Sequence, residues 1–233
     1  MLDCLEIQEF KKKKMIKIKR YDQPIILSEL EKSKIKSDTY LDIGCNDCSF
    51  TLEIAKIIKA KKVYGMDVNP KETKGVITIK SSFEDKLPFK DNQFNFISII
   101  QTIEHIRKID EFIDEIKRIL KPNGYFLIVT PNLASWHNII FLILGQQPKT
   151  VFISNKWYVG NKFYKTAIRK VYKQEAIGHL RAFTYYSLKR FIELNGFYTE
   201  RNIGCGWLGL PSFMGKIDRT HCSHIILLAK VVK

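Results

Sequence analysis

The chain of 233 residues is 45% hydrophobic and 12% aromatic, which is enough apolar material for one full core. Its longest apolar run, residues 139–144, is far shorter than the roughly 20 residues that a membrane-spanning helix needs. The N-terminus lacks the charged-then-apolar order of a signal peptide, and the five cysteines are irregularly spaced. We therefore expect one globular domain with an elaboration, reduced thiols and a cytoplasmic location.

The formal net charge of +15 lies mainly at the periphery of the sequence. Residues 37–145 carry equal numbers of acidic and basic side chains, whereas residues 146–201 have a net charge of +8. The first 20 residues contain the basic run 11–14. Such an excess favours an anionic partner, such as a phosphate-bearing substrate, nucleic acid or an acidic membrane surface, although lysine-rich stretches are often only solvated faces.

The order of the predicted elements divides the chain into an arm, a core and a cap. Residues 1–38 form a basic arm and a short covering helix after Pro24. Strands are predicted at 40–43, 63–68, 75–79, 94–100 and 125–130. A helix capped by Asp47 or Ser49 follows the first strand, and an amphipathic helix at 109–120 ends at the turn 121–124. Residues 133–180 break this alternation into aromatic, basic and apolar pieces, which we interpret as an inserted cap.

Regular structure resumes after the cap with a helix at 184–194 and strands near 197–203 and 224–229. The core would therefore comprise residues 39–132 and 181–233. Alternation of strands with helices indicates an α/β fold, in which a mostly parallel, doubly wound, Rossmann-like sheet is covered on both faces.

The stretch 40–50 reads as a strand, a tight turn and the start of a helix, an arrangement that offers backbone N–H groups to a ligand. Asp67 ends the second strand and follows Asp42 by 25 residues, near the offset of about 20 for a carboxylate that binds ribose hydroxyls. Asp42 stands directly before the turn, where it would repel a pyrophosphate but attract an ammonium and a sulfonium. This charge pattern favours S-adenosylmethionine over a dinucleotide.

Several short motifs, in order, resemble those of the class I S-adenosylmethionine-dependent methyltransferases. They lie at 41–47, 65–67, 87–89, 94–97, 104–106 and 120–125, with a further match at 178–184. Within that class the chain is most similar to the small-molecule group related to the quinone-biosynthesis methyltransferases. The resemblance implies a seven-stranded sheet whose last strand is antiparallel. Asn46 and Cys48 replace glycines that are usual in the turn.

The resemblance also implies S-adenosylmethionine as the cofactor and a set of residues that hold it. Asp42 and the backbone of Gly44 would bind the methionine ammonium, and Asp67 would bind the ribose hydroxyls. Phe83 would frame the adenine, and Gln101 would face the transferred methyl group. The remaining predicted cofactor contacts are Cys45, Asn46, Val68 and Ser82.

Two histidines are candidate general bases, because methylation of an alcohol is helped by a base whose pKa is near neutral. His105 follows the fourth strand, and His179 leads from the cap into the last helix. Each has a structural alternative, such as bonds from Glu104 and His105 to neighbouring loops. Arg181 could pair with an anionic group on the substrate.

A pair of cysteines and an apolar segment after residue 135 have alternative interpretations. Cys45 and Cys48 form a C-x-x-C pair, but structural zinc needs two more ligands, so we interpret them as small turn residues and expect no metal site. Trp136 together with residues 139–144 could contact a membrane surface.

The leading hypothesis is methyl transfer to a small-molecule, lipid-linked or sugar-linked acceptor that enters between the sheet and the cap. A second hypothesis makes RNA the acceptor, because the arm and residues 146–201 are basic. A third is a non-catalytic binding protein on a degenerate methyltransferase fold, because the turn departs from the glycine pattern at Asn46 and Cys48.

Overall fold

A computed structural model of the chain describes residues 22–148, 150–154, 159–162, 178–206 and 214–233. The predicted basic arm lies outside these residues, as does most of the basic part of the predicted cap. The cap aromatics Trp157, Tyr158, Phe163, Tyr164 and Tyr172 also lie outside them.

The strands of the described residues are β1 (Thr39–Ile43), β2 (Lys62–Asp67), β3 (Ile77–Lys80), β4 (Phe94–Ile100), β5 (Leu120–Pro131), β6 (Phe197–Cys205) and β7 (His224–Val231). Their α-helices are α1 (Gln23–Ser33), α2 (Ser49–Ile57), α3 (Ile109–Ile119), α4 (Trp136–Ile143), α5 (Tyr185–Leu194) and the single turn α6 (Met214–Ile217). A 3₁₀ turn (Ile103–His105) follows β4. None of these helices has the length and apolar character that crossing a membrane requires.

The strands form one seven-stranded sheet in the order β3-β2-β1-β4-β5-β7-β6. Neighbouring strands from β3 to β5 pair in parallel, and β7 runs antiparallel to both β5 and β6. This confirms the predicted Rossmann-like class and the antiparallel last strand. The strand order reverses between β1 and β4, so the crevice for a ligand is expected at the carboxyl ends of these two strands.

Each face of the sheet is covered by its own apolar cluster. Helix α3 buries five side chains on one face, where Leu188 and Ile192 of α5 join the same cluster. Ile26 and Leu30 of α1 pack with Ile54 of α2 on the other face. Both layers are needed because the central parallel strands are apolar on both sides.

Three boundaries in the structure differ from the predicted ones. The N-cap of α2 is Cys48, at a φ of +54° and without a side-chain cap bond, rather than Asp47 or Ser49. Strand β5 begins at Leu120, directly after α3, because Leu120 pairs with Phe94 of β4. A bulge in the β4–β5 ladder follows this pair. Residues 121–124, which were predicted as a turn, therefore belong to the strand. Strand β3 starts two residues later than predicted, at Ile77.

Candidate cofactor and active site

The predicted cofactor residues follow the carboxyl ends of four neighbouring parallel strands. Gly44, Cys45 and Asn46 follow β1, Val68 follows β2, Ser82 and Phe83 follow β3, and Gln101 follows β4, while Asp42 and Asp67 lie in the last two residues of their strands. The ends are level, since Ile43 pairs with both Met66 and Ile99. The model therefore brings these residues to one edge of the sheet.

The β1–α2 turn, residues 44–48, is held in a left-handed conformation at three positions. The φ angles are +80° at Gly44, +49° at Asn46 and +54° at Cys48. Asn tolerates this region, but a cysteine there is strained. A Cβ at position 44 would lie 2.1 Å from Thr102 Oγ1, so this position requires glycine on both conformational and steric grounds.

The thiols of Cys45 and Cys48 are packed against β2. A Cβ on Gly65 would lie 2.8 Å from Cys45 Sγ and 2.9 Å from Cys48 Sγ, so glycine at 65 makes room for both sulfurs. Burial raises the pKa of each thiol above its ordinary value. Both therefore remain protonated near neutral pH, which suits space-filling turn residues better than nucleophiles.

Asp42 is buried at the end of β1 and accepts hydrogen bonds from two hydroxyls. Thr51 of α2 donates to its Oδ2, and Ser98 of β4 donates to its Oδ1 at 2.6 Å. Ser98 also shares a 2.8 Å bond with the hydroxyl of Tyr40. Hydrogen bonds from these hydroxyls stabilise a carboxylate beneath the turn, where a negative charge would attract a cationic group. Its direct contact with an ammonium stays a prediction.

Asp67 is half-buried and organises the loop after β2. Its Oδ2 accepts from the backbone N–H of Asn46 at 3.0 Å, and its Oδ1 accepts from that of Asn69 at 3.0 Å. The carboxylate thus ties the β1–α2 turn to the end of β2, where the resemblance places the ribose. Val68 beside it is 50% exposed, as a residue that faces a ligand crevice can be.

The loop after β3 carries the predicted adenine contacts. Phe83 is half-buried and packs against the core cluster, whereas Ser82 is exposed and its Oγ accepts from the backbone N–H of Glu84. The carboxylate of Glu84 accepts from the backbone N–H groups of Arg107 and Lys108. This pair of bonds holds the loop after β3 against the segment that follows His105.

Gln101, the first residue after β4, combines two features of a ligand-binding position. Its φ is +55°, an uncommon value for a residue with a long side chain. Its side-chain Nε2 is buried, and no acceptor among the described residues bonds to it. Since a buried donor without an acceptor is costly, this amide fits a site that is completed by a polar ligand group.

The fold brings the two predicted catalytic histidines together, although they are 74 residues apart in sequence. The ring centroids of His105 and His179 are 5.1 Å apart, and Phe152 packs edge-on to His179 at 4.8 Å. The Nδ1 of His179 lies 3.0 Å from the backbone oxygen of Thr150, and its Nε2 lies 4.0 Å from Glu104 Oε1.

Glu104 connects these parts and was not among the predicted site residues. Its side chain is 2% exposed and accepts a 3.0 Å bond from Thr130 Oγ1 of β5. Its backbone oxygen accepts from the N–H groups of Leu180 and Arg181, which docks the segment 178–181 on the loop after β4. In the sequence, only its position next to His105 marks Glu104 as a candidate site residue. Nothing in the sequence marks Thr130 or Thr150 as part of the site.

Arg181, the predicted partner of a substrate anion, is anchored beside the histidines. One terminal nitrogen donates to the backbone oxygen of Arg107 at 2.6 Å. Its Nε is buried without an acceptor among the described residues. Binding of an anion by this guanidinium stays a prediction.

Comparisons with known proteins agree with this geometry. The model of a family described as methyltransferase domain matches residues 17–202, more than half of the chain. The chain is 29% identical over 111 residues to a sterol 4-C-methyltransferase of Caenorhabditis elegans, over 42% of this chain and 33% of that protein. It is 28% identical over 142 residues to a ubiquinone biosynthesis O-methyltransferase of Pelagibacter ubique, over 58% of this chain and 54% of that protein. The matched part thus spans about a third to a half of these relatives.

A solved structure, a SAM-dependent methyltransferase from Aquifex aeolicus, superposes over 100% of both chains with a TM-score of 0.56 at 18% identity. At this identity the likeness supports the fold. Three polar groups of the site fit S-adenosylmethionine. They are the carboxylate of Asp67 at the end of β2, the backbone of the turn after β1 with its left-handed glycine, and the buried side-chain amide of Gln101. The chain therefore belongs to the methyltransferase domain family.

Proposed function

We propose that the chain transfers a methyl group from S-adenosylmethionine to a hydroxyl of an apolar small molecule or lipid. The observation that carries this proposal is the meeting of His105 and His179 beside the carboxyl end of β4. A base near neutral pKa at this place suits an acceptor that must lose a proton, and histidine meets that need. The relatives named above are a sterol and a ubiquinone-pathway methyltransferase, which supports an apolar acceptor.

The residues would divide the work between holding the cofactor and handling the proton. When bound, S-adenosylmethionine supplies an electrophilic methyl group on a sulfonium. Asp67 and the backbone of the β1–α2 turn would hold its ribose and methionine parts, and Gln101 would orient the reacting end. A ring nitrogen of His105 or His179 takes the hydroxyl proton as the oxygen lone pair forms the new C–O bond. The pair of electrons from the S–C bond of the cofactor would stay on sulfur, which balances the transfer.

Exposed apolar side chains on and after α4 support a lipid-like acceptor. On and just after α4, Leu142 is 57% exposed, Ile143 78% and Leu144 52%, and Ile153 is 66% exposed. The helix is anchored at its start, where Trp136 Nε1 donates to Asp218 at 2.9 Å. Such a patch suits contact with an apolar acceptor or with the membrane that carries it. Flotation with anionic vesicles should carry the native chain upward and should leave a Leu142→Gln/Ile143→Gln variant behind.

The cofactor part is tested by calorimetric titration of S-adenosylhomocysteine. Asp67→Ala should weaken binding by at least tenfold, because both the ribose acceptor and the bond to Asn46 are lost. Asp114→Ala, an exposed aspartate on α3, is the matched control and should bind as the native chain does. Unchanged affinity of the Asp67 variant would contradict the assignment of this crevice.

The catalytic part is tested with labelled S-adenosylmethionine and a panel of sterols, fatty acids and phenols. Single His105→Ala and His179→Ala variants should lose turnover by 10²-fold or more while they keep S-adenosylhomocysteine affinity. Turnover that survives both substitutions would remove the histidines from the mechanism. The RNA hypothesis rests on basic segments that lie mostly outside the described residues, and a steep salt dependence of RNA binding would be needed to revive it.

A further inference from the structure

Helix α4 buries its asparagine and leaves its apolar side chains half-buried or exposed. The Nδ2 of Asn138 lies 2.9 Å from Thr150 Oγ1, 3.0 Å from the backbone oxygen of Asn132 and 3.2 Å from that of Leu133. Its Oδ1 is buried without a donor among the described residues, which is costly. Asparagine is also a poor helix former, so the bonds of its nitrogen best explain an amide at this position.

The partners of Asn138 determine which way its amide points. The oxygens of Asn132 and Leu133 are backbone carbonyls, which only accept, so the side-chain atom that they share is the nitrogen. Its two hydrogens then serve three acceptors, of which the hydroxyl of Thr150 is the nearest. The amide of Asn138 therefore joins the end of β5 to Thr150.

The β5 end of this link is itself held in place by the segment before β7. Asn132 is fully buried, and its side-chain amide donates to the backbone oxygens of Thr220 at 2.7 Å and Cys222 at 2.8 Å. Its backbone N–H donates to the oxygen of Ser223 at 2.9 Å. Asn138 is thus anchored to the edge of the sheet at β5 and β7.

Thr150 continues the link to His179. It is buried, its hydroxyl bonds to Asn138, and its backbone oxygen lies 3.0 Å from His179 Nδ1. This oxygen only accepts, so Nδ1 carries a proton and donates. In the neutral ring the unprotonated nitrogen is then Nε2, which lies 4.0 Å from Glu104 Oε1. The bond from Thr150 therefore determines which nitrogen of His179 is able to take up a proton.

We propose that Asn138 is a positioning residue that acts through Thr150 to fix the ring and the tautomer of His179. A general base works with an unprotonated nitrogen, and this arrangement makes Nε2 that nitrogen. The role of His179 as a base rests on the proposed function, whereas the link from Asn138 to the ring does not. Phe152 also packs on the ring, at 4.8 Å, but a contact between ring faces and edges does not select one nitrogen over the other.

Substitutions at Thr150 separate this link from the structural use of Asn138. Thr150→Val keeps the size of the side chain and the backbone oxygen, removes the hydroxyl, and leaves the other two bonds of Asn138 in place. Thr150→Ser keeps a hydroxyl, and Asn138→Ala removes the whole link. Asn195→Ala is the matched control, because the side-chain amide of Asn195 also donates to a backbone oxygen, that of Phe191 in α5.

Nitrogen NMR of the full chain with isotope-labelled histidine, at a pH where the rings are neutral, measures the tautomer directly. The signals of His179 are assigned by their loss in His179→Ala. Native His179 should carry its proton on Nδ1, and both tautomers should be populated in Thr150→Val and Asn138→Ala. Thr150→Ser and Asn195→Ala should keep the native tautomer. Titration with S-adenosylhomocysteine shows whether each variant is folded.

Methyl transfer supplies the second measurement, with the acceptor of the panel that the native chain methylates fastest. Thr150→Val and Asn138→Ala should lower kcat by about 10-fold or more, because the base is misplaced, while KM stays close to native. Thr150→Ser should recover kcat. A purely structural role for Asn138 would not produce this split between kcat and KM together with the change of tautomer.

A proton on Nε2 of native His179, or a native tautomer in both Thr150→Val and Asn138→Ala, would overturn the inference. The proposed function would survive that result if His179→Ala still loses turnover. A changed tautomer with native kcat would remove the positioning role. A changed tautomer together with full turnover in His179→Ala would instead refute the proposed function and leave the link to the ring supported.

Discussion

Replacing Gly65 by alanine tests how the two cysteines of the β1–α2 turn are packed. The new Cβ would lie 2.8 Å from Cys45 Sγ, 2.9 Å from Cys48 Sγ and 3.2 Å from Val76 Cγ1. Ordinary contacts of this kind are about 3.5–4.0 Å long. Both sulfurs therefore have to move by several tenths of an ångström or more, and the backbone of the turn moves with them.

The expected cost follows from this overpacking. An extra methyl group in a well-packed core typically costs about 1–3 kcal/mol of unfolding free energy, so Gly65→Ala should fall in that range. In a Cys45→Ala/Cys48→Ala background the two sulfurs are absent, and the next contact in order of distance is with Val76 Cγ1. There the same substitution should cost less than about 1 kcal/mol. The double-mutant cycle should thus show a coupling of about 1–2 kcal/mol.

Urea denaturation of the four proteins, native, Gly65→Ala, the double cysteine variant and the triple variant, measures this coupling. Titration with S-adenosylhomocysteine measures the effect on the turn, and affinity should fall in Gly65→Ala and recover in the triple variant. If Gly65→Ala costs the same in both backgrounds, the sulfurs do not press on position 65 and the packing argument is wrong.

Three further predictions concern other parts of the chain. Arg118 donates to Glu115 and lowers the pKa of that carboxyl. The ion pair therefore stabilises the fold at pH values above the unfolded pKa of about 4.3, and this stabilisation is lost as the pH falls through the lowered pKa of the folded state. Arg118→Ala should cost about 2 kcal/mol at pH 7 and less near pH 3 in urea titrations, and a pH-independent cost would contradict this. Thr184→Ala removes the acceptor for the Ser187 N–H at the start of α5 and should cost about 1 kcal/mol in the same assay, with Thr184→Ser close to native. Burial raises the pKa of Cys222 to about 11, so its alkylation at pH 8, followed by mass spectrometry, should be much slower in the folded chain than in urea; equal rates would show that it is exposed.

The agreement between prediction and structure is best where the information is local. Helix α3 was predicted to within one residue, because its apolar residues recur at steps of three and four and bury one face. Strand β4 was predicted with its observed bounds from a continuous apolar run. The α/β class follows from such patterns, since alternating strands and helices have few ways to bury their apolar faces.

Predictions failed where a long-range contact decided the local conformation. Asp47 and Ser49 are good N-cap residues by type, yet Cys48 occupies the N-cap with its sulfur close to Gly65 of β2, and Asp47 Oδ1 accepts from the backbone N–H of Ser49. Residues 121–124 have turn chemistry, but Leu120 before them and Tyr125 after them both pair with β4, so they lie within β5 as a bulge. Neither partner strand is visible from the local sequence.

The sequence by itself determined the fold class, the crevice at the carboxyl ends of the strands and the residues around it, because strand ends and turn glycines are marked locally. Only the tertiary structure decided that His105 and His179 meet over the carboxylate of Glu104. The physical reason is that their meeting depends on two backbone bonds from residues 180 and 181 to the Glu104 oxygen, and on Thr150 holding the ring of His179. Such contacts between distant segments leave no periodic signal in the chain.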